Sequence, residues 1–269
     1  MLNRVQGYIL DLDGTVYRGE SLTPGAKEAI LELRARGRRL VFLSNKPLYS
    51  RRDYAEKLTH LGIPTPEDEV INSSYVLARY LSRRAPGAKV FAIGEEPLLS
   101  ELRLAGLAFS EDPEEIQYVV AAFDRTFTYK KLNIAFQAIR RGAHFIATNP
   151  DRTCPVEEGE IPDAAGMIGA VEGVTGKRVE LIVGKPSRLI IDMALERLGL
   201  PRERCAIVGD RLETDIAMGE AAGLTTILTL TGVSSQEDLK GSKVRPAYVI
   251  ASLAELPELD ERLNRTGES

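Results

Sequence analysis

The sequence is poor in the residues that support several common chemistries. Its 269 residues include two cysteines, two histidines and no tryptophan. The cysteines, Cys154 and Cys205, cannot form a disulfide framework, and Cys205 stands within an apolar run, so we expect a reducing compartment. The histidines, His60 and His144, have no nearby serine or cysteine arrangement that would indicate a catalytic triad. The lack of a histidine or cysteine cluster also disfavours a zinc site.

Charge and hydropathy argue against two further classes of protein. The formal net charge is −4, with 35 Lys and Arg against 39 Asp and Glu, whereas a nucleic-acid surface needs clustered cations. The basic stretch Arg34–Arg39 is typical of the solvated end of a helix. No apolar stretch approaches the ~18 residues that a membrane span needs, and Met1–Arg4 lacks the apolar core of a signal peptide. We therefore expect a cytoplasmic chain with no nucleic-acid and no membrane partner.

Short apolar runs alternate with amphipathic segments at both ends of the chain. The N-terminal pattern predicts, in order, strand Tyr8–Leu12, helix Pro24–Arg36, strand Leu40–Ser44, a helix from Ser50 to Leu61, strand Val70–Asn72 and helix Ser74–Arg84. The C-terminal pattern predicts strands Leu181–Val183, Cys205–Val208, Thr225–Leu230 and Tyr248–Ile250, with helices Ser187–Leu198 and Asp215–Ala222. Continuous apolar strands of this kind favour a parallel sheet that is covered on both faces.

The middle of the chain has its own predicted strands and helices. The strands are Val90–Ile93, Tyr118–Ala122 and Phe145–Thr148, and the helices are Pro97–Ala105 and Tyr129–Arg141. The predicted fold class is therefore α/β: a doubly wound, Rossmann-like parallel-sheet core over residues 1–80 and 181–269, with a second α/β domain inserted over residues 81–180.

Polar residues follow the predicted core strands at the points where they end. They are Asp11 and Asp13 after the first strand, Ser44 and Asn45 after the second, and Lys185 and Asp210 after two C-terminal strands. In an open parallel sheet, ligands bind outside the carboxyl ends of the strands. A hydroxyl, an amide and an ammonium group could hold a dianionic phosphate, while Asp11 and Asp210 could share a hard cation such as Mg²⁺. For Asp11 and Asp13 taken alone, the alternative is a capped turn before Gly14.

Four short segments carry a resemblance to a known family. DLDGT, SNK, GKP and GDRLETD, in this order, resemble the four motifs of the haloacid dehalogenase-like hydrolases. The segments VYRGESLTPGA, FDRTFTYKKLN, FIATNPD and ALERLGLPRERCAIVGDRLETDI are similar to the phosphatases in which a large type-IIA cap is inserted between motifs two and three. That subfamily includes para-nitrophenyl, pyridoxal and phosphoglycolate phosphatases and bacterial nucleotide or sugar-phosphate phosphatases. The resemblance extends from about Gly7 to Val233.

The resemblance implies a mechanism and a role for each residue. Asp11 would be the nucleophile that forms an aspartyl phosphate, and Asp13 would be the acid and base. The remaining implied roles are phosphate binding by Ser44, Asn45 and Lys185, magnesium binding by the Asp11 carboxylate, the Asp13 main-chain carbonyl and Asp210, and support by Gly14, Thr15 and Asp215. In the inserted cap, Asn149 and Asp151 are the candidates for contacting the substrate, with an Asn-Pro turn as the alternative.

Two other functions and one assembly are left open by the sequence. A phosphate-binding or regulatory protein with little turnover would keep the same fold. A phosphotransferase would share Asp13, although the short segment between Gly14 and Pro24 leaves no room for the cap that mutases carry there. The glycines at 166, 169, 173 and 176 do not form GxGxxG and are typical of close helix packing or a hinge. The predicted partner is a small phosphorylated metabolite, and a homodimer through the cap is one alternative for the assembly.

Overall fold

The computed structural model describes residues 4–156 and 159–265 of the chain. The strands are β1 Gly7–Asp11, β2 Tyr17–Arg18, β3 Ser21–Leu22, β4 Arg39–Ser44, β5 Val70–Asn72, β6 Lys89–Ile93, β7 Ala108–Phe109, β8 Tyr118–Ala121, β9 His144–Ala147, β10 Thr153–Val156, β11 Gly159–Pro162, β12 Leu181–Ile182, β13 Cys205–Gly209, β14 Thr225–Thr229 and β15 Tyr248–Ile250. The helices are α1 Ala26–Ala35, α2 Arg51–His60, α3 Ser73–Arg84, α4 Glu96–Leu104, α5 Tyr129–Arg140, α6 Ala164–Thr175, α7 Arg188–Leu198, α8 Ala217–Ala222, α9 Gln236–Gly241 and α10 Leu256–Asn264.

The chain divides into two compact units. The first unit is the described part of the segments 1–44, 52–71 and 190–269, and the second is the described part of the segments 45–51 and 72–189. These units are groups of residues that pack together. The predicted boundaries of the core, 1–80 plus 181–269, and of the inserted domain, 81–180, stay predictions.

The first unit contains a six-stranded sheet in the order β15-β14-β13-β1-β4-β5. Strand β1 pairs in parallel with β13 on one side and with β4 on the other. All five residues of β1 are buried, as are all five of β13, because an apolar strand in the middle of a parallel sheet is covered on both faces. The strand order runs outward from β1 in both directions, so the prediction of a doubly wound parallel sheet is confirmed.

A buried carboxylate in α10, the last helix of the first unit, forms a hydrogen bond with the first strand, β1. Asp260 in α10 is 1% exposed, and the hydroxyl of Tyr8 in β1 donates to its Oδ1 at 2.7 Å. Arg38 Nε lies 2.9 Å from the same oxygen, and Arg36 Nη1 lies 3.2 Å from Oδ2. A buried carboxylate is stable only when it is paired and hydrogen-bonded in this way. Burial, with the Asp260 charge next in importance, raises the pKa of Tyr8 above its usual range, so the hydroxyl remains a donor.

The second unit contains a five-stranded sheet in the order β12-β9-β8-β6-β7, in which every pair of neighbouring strands is parallel. Its core is formed by Phe91, Val119, Ile139, Phe145 and Val171. The predicted strands and helices of the inserted segment are found within a residue or two of their predicted bounds.

One predicted strand belongs to a different sheet from the one expected. The sequence assigned Leu181–Val183 to the core sheet, whereas Leu181–Ile182 pairs in parallel with Ile146 and Ala147 of β9. A strand of two apolar residues is too short for its sequence pattern to identify its sheet, because apolar residues fit the sheet of the first unit and that of the second equally well.

The glycine-rich segment of the second unit is a helix. Gly166, Gly169 and Gly173 lie in α6, which ends at Gly176 with a left-handed φ of 67°. A Cβ added at Gly169 or Gly173 would meet no atom within 4 Å, so close packing does not account for these glycines.

Among the described residues, none of the helices has both the length and the apolar character that crossing a bilayer requires.

Candidate active site

Three buried carboxylates of the first unit converge at one edge of its sheet. Asp11 ends β1, Asp210 follows β13 directly, and Asp215 lies in the single π-helical turn Leu212–Ile216. Because Leu10 pairs in register with Val208, the carboxyl ends of β1 and β13 meet at the same edge. The three side chains offer oxygens that all lie within 4.8 Å of one another, and each residue is at least 94% buried.

This cluster fits a hard divalent cation. Three carboxylates in a buried site repel one another unless a positive charge lies among them. Oxygen donors are the ligands that Mg²⁺ prefers, and no histidine or cysteine belongs to the group. The sequence assigned the third metal contact to the main-chain carbonyl of Asp13 and a supporting role to Asp215. In the structure, Asp215 provides the third carboxylate of the cluster, and both roles stay predictions.

The position of Asp210 depends on two glycines. A Cβ at Gly14, which has a left-handed φ of 87°, would lie 2.5 Å from Asp210 Oδ2, and a Cβ at Gly232 would lie 1.9 Å from the same atom. The main-chain N–H of Val233 donates to this oxygen at 2.7 Å. Thr231 Oγ1 donates to the Gly14 carbonyl at 2.7 Å, which ties the two glycine segments together.

Sequence reasoning missed the contribution of the segment Thr231–Val233. The signal was available, since Thr231 and Gly232 follow the end of β14 just as the predicted site residues follow β1, β4 and β13. Gly209 plays a similar part for the third carboxylate, because a Cβ there would lie 2.3 Å from the Cβ of Asp215.

The aspartate that ends β1 and the aspartate in the loop after it differ in their exposure to solvent. Asp11 is 6% exposed, whereas Asp13 is half-buried. The loop is closed by hydrogen bonds from the N–H groups of Val16 and Tyr17 to the Leu12 carbonyl at 2.9 and 3.2 Å. Asp13 is therefore more accessible to solvent than Asp11.

Ser44 ends the neighbouring strand at the same edge. Asp11 pairs in register with Leu43 of β4, so Ser44 continues the chain just beyond the level of Asp11. Ser44 is 2% exposed, and its Oγ donates to Tyr54 Oη at 3.1 Å. Tyr54, in α2, gave no sequence signal of this contact because the two residues meet only through folding.

The other predicted phosphate and cap residues meet within the second unit. Asn45 Oδ1 accepts the main-chain N–H of Lys185 at 2.7 Å, and Asn45 Nδ2 donates to Asp151 Oδ2 at 2.8 Å. Asn149 Nδ2 donates to the same Asp151 oxygen at 2.9 Å and to Asp163 Oδ1 at 3.1 Å. Burial raises the pKa of Asp163 above its ordinary value. Sequence reasoning did not place Asp163 in this network.

Two family models match the chain, one in its N-terminal part and one in its C-terminal part. A model of the family described as "Haloacid dehalogenase-like hydrolase" matches residues 8–108, and one described as "HAD-hyrolase-like" matches residues 182–256. The two matches include Asp11, Asp13, Ser44, Lys185 and Asp210.

Whole-length relatives agree with these matches. The sugar-phosphatase AraL of Bacillus subtilis (strain 168) is 43% identical over 255 residues, which are 95% of this chain and 93% of that protein. The acid sugar phosphatase of Staphylococcus aureus (strain USA300) is 38% identical over 97% of this chain and 100% of that protein. The 4-nitrophenylphosphatase of Thermotoga maritima has a TM-score of 0.91 and 38% identity, covering 96% of this chain and 98% of that one.

The chain belongs to the haloacid dehalogenase-like hydrolases, and within them to the phosphatases with a type-IIA cap. The resemblance found in the sequence is thereby confirmed, as is the prediction that the chain is a phosphatase.

Proposed function

We propose that this phosphatase is magnesium-dependent and hydrolyses small phosphorylated metabolites, with sugar phosphates as the first candidates, through an aspartyl phosphate on Asp11. The observation that carries the proposal is the buried carboxylate cluster at the end of β1, with the half-buried Asp13 two residues further on. The names of the sugar phosphatases that match nearly the whole chain support the substrate class.

The reaction proceeds in two displacements at phosphorus. The Asp11 carboxylate attacks the phosphorus atom, the bond to the leaving oxygen breaks, and Asp13 donates a proton to that oxygen. Asp13 then accepts a proton from a water molecule, which attacks the phosphorus of the aspartyl phosphate and regenerates the Asp11 carboxylate. Ser44 and Lys185 hold the phosphoryl oxygens during both steps, with Asn45 supporting the same segment.

The proposed metal ligands are the Asp11 carboxylate, the Asp13 main-chain carbonyl and Asp210, with Asp215 as the adjacent carboxylate. Bound Mg²⁺ would lower the repulsion between the anionic nucleophile and its anionic substrate. The surrounding residues hold these groups in place before the substrate arrives, since Val233 and the glycines at 14 and 232 fix the Asp210 carboxylate.

The two aspartates are tested by changing the leaving group. Asp11→Asn removes the nucleophile and should abolish turnover of every substrate. Asp13→Asn should slow an alkyl phosphate strongly, and para-nitrophenyl phosphate much less in its first step, because nitrophenolate leaves without a proton. The second step still needs a base, so rapid mixing should show a burst of nitrophenol followed by slow release of phosphate.

Asp68→Asn is a suitable control, because Asp68 is an exposed acid paired with Arg197 and should leave both rates unchanged. Equal loss of both substrates in Asp13→Asn with no burst would refute the assignment. A folded wild-type protein that binds phosphate without turnover would indicate a regulatory protein, and transfer of phosphate to an added alcohol in place of water would indicate a phosphotransferase.

The metal assignment is tested by chelation and by direct binding. Activity should be lost in excess chelator and return with Mg²⁺, and Asp210→Asn should weaken Mg²⁺ binding, measured by calorimetry, by about tenfold or more. Activity that persists in excess chelator would disprove magnesium dependence. Unchanged Mg²⁺ affinity in Asp210→Asn would remove Asp210 from the ligand set.

The proposed setting is the cytoplasm, with no nucleic-acid or membrane partner, which the net charge of −4 and the scarcity of cysteine support. A homodimer formed through the cap is the proposed alternative to a monomer. Its support is that the second unit exposes large apolar side chains, with Leu104 of α4 83% exposed and Phe109 of the edge strand β7 37% exposed. Sedimentation equilibrium would decide between the two states.

A further inference from the structure

We infer that Asp151 is a positioning residue of the phosphate-binding segment: its carboxylate orients the side-chain amide of Asn45, which in turn holds the main chain of Lys185. The inference rests on the proposed function, in which Lys185 binds the phosphoryl group. It gives Asp151 a role other than the substrate contact that the sequence suggested.

The orientation of the Asn45 amide follows from the chemistry of its two partners. An ionised carboxylate can only accept hydrogen bonds, and a main-chain N–H can only donate one. Asp151 Oδ2 therefore accepts a hydrogen bond from Asn45 Nδ2 at 2.8 Å, which leaves Asn45 Oδ1 to accept from the Lys185 N–H at 2.7 Å. Rotating the Asn45 amide by 180° would place its Oδ1 against the Asp151 carboxylate, so that two acceptors face each other. It would also place its Nδ2 against the Lys185 N–H, so that two donors face each other.

The Lys185 main chain lies close enough to depend on this contact. A Cβ added at the preceding Gly184 would lie 2.3 Å from Asn45 Oδ1 and 2.5 Å from the Thr148 carbonyl oxygen. The Gly184 N–H donates to that same carbonyl at 2.7 Å. Lys185 itself is 5% exposed. A change in the Asn45 amide therefore displaces the main chain from which the ammonium group extends.

Asp151 is itself held by neighbours in the second unit. Asn149 donates to its Oδ2 at 2.9 Å, and its main-chain oxygen accepts from the Ala165 N–H, in the first turn of α6, at 3.0 Å. Asn149 is fully buried, and its Oδ1 accepts from Thr148 Oγ1 at 2.7 Å. The Asn149 amide thus fixes the carboxylate that fixes the Asn45 amide.

The first test exchanges the two partners. Asn45→Asp alone places a carboxylate against the carboxylate of Asp151, and we expect it to weaken binding of inorganic phosphate, measured by calorimetry with Mg²⁺ present, by roughly tenfold. Adding Asp151→Asn returns one donor and one acceptor to facing positions at residues 45 and 151, but it sets the new amide nitrogen against that of Asn149. The double variant should therefore recover part of the lost affinity and bind phosphate at least about threefold more tightly than Asn45→Asp alone. A residue that only stabilised the fold would give no such rescue.

The second test uses a control from the other end of α6. Glu172→Ala removes a carboxylate that pairs with Arg178 and accepts from the Val179 N–H, and its contacts include neither Asn45 nor Asp151. It should lower stability yet leave phosphate affinity unchanged, whereas Asp151→Ala should weaken phosphate affinity by roughly tenfold. Failure of the partner exchange to rescue binding would overturn the inference, as would an equal loss of phosphate affinity in both alanine variants.

Failure of the inference can be told apart from failure of the proposed function. Lys185→Met should weaken phosphate binding whether or not Asp151 has a positioning role. If Lys185→Met has no effect, the proposed function of Lys185 is wrong. If Lys185→Met is impaired while Asp151→Ala binds phosphate normally, only the inference about Asp151 is wrong. Should Asp151→Ala not fold, the partner exchange still decides the question.

Discussion

Gly232 allows a direct test of how tightly the Asp210 carboxylate is confined. A Cβ at this position would lie 1.9 Å from Asp210 Oδ2 and 2.3 Å from its Cγ, whereas an ordinary contact is at least 3.4 Å. Gly232→Ala must therefore move the carboxylate or the main chain by about 1.5 Å. A misplacement of about 1 Å in a catalytic group costs roughly 100-fold in rate, and overpacking of this kind costs about 1–3 kcal/mol of stability.

The assay measures the magnesium concentration for half-maximal activity, kcat/KM for para-nitrophenyl phosphate, and the free energy of unfolding. In Gly232→Ala we expect a raised magnesium requirement and a kcat/KM lower by on the order of 100-fold. Gly241→Ala is the matched control, since a Cβ at Gly241 would meet no atom within 4 Å and both glycines belong to the first unit.

The reasoning would be refuted by a folded Gly232→Ala variant whose magnesium requirement and kcat/KM lie within about threefold of Gly241→Ala. That result would mean that the main chain after β14 can move to accommodate the added methyl group without displacing Asp210. The short distances from a Cβ at Gly232 to Asp210 would then place no constraint on the metal site. A variant that loses stability but keeps its magnesium requirement would separate the packing cost from the catalytic one.

Two further predictions concern stability and thiol reactivity. Tyr8→Phe removes a hydrogen bond to the buried Asp260 carboxylate and should lower the free energy of unfolding, measured with urea, by about 1–3 kcal/mol. Because folding raises the pKa of Tyr8 above its ordinary value of 10.0, the stabilisation by this hydrogen bond is present below pH 10 and is lost as the pH rises further. The fall in stability above pH 10 should therefore be shallower in Tyr8→Phe, and an identical fall in both proteins would contradict this. Burial raises the pKa of Cys205 to about 11, so iodoacetamide at pH 8 should modify this thiol only after unfolding, as peptide mass mapping would show.

The parts of the fold that could be predicted from sequence are those with a continuous apolar pattern. Strands β1, β4 and β13 are buried along nearly their whole length, and the predicted bounds agree to within a residue. Their parallel pairing brings the strand-end residues Asp11 and Asp210 together, so part of the site was predictable as well.

Elements with weak or contrary local signals were not predictable. Helix α6 contains three glycines, which disfavour a helix, and strand β10 contains Pro155, which disfavours a strand. The place of Asp215 depends on a π-helical turn, whose phase differs from that of the α-helix that the spacing suggested. Tyr54 acquires its importance from its contact with Ser44 of another element, and Gly232 acquires its importance from its close approach to Gly14 and Asp210.

The pairing of β1 with β13 also determines when the site can form during synthesis. Strand β1 ends at Asp11 and β13 ends at Gly209, so about 200 residues must be added before the two can pair, which takes roughly 10–40 s on a ribosome. The long segment of the second unit, residues 72–189, emerges complete within that interval. During that time, one edge of β1 lacks its final partner β13. An unpaired strand edge can pair with another chain, which leads to aggregation. We expect the second unit to fold first and the carboxylates to meet last.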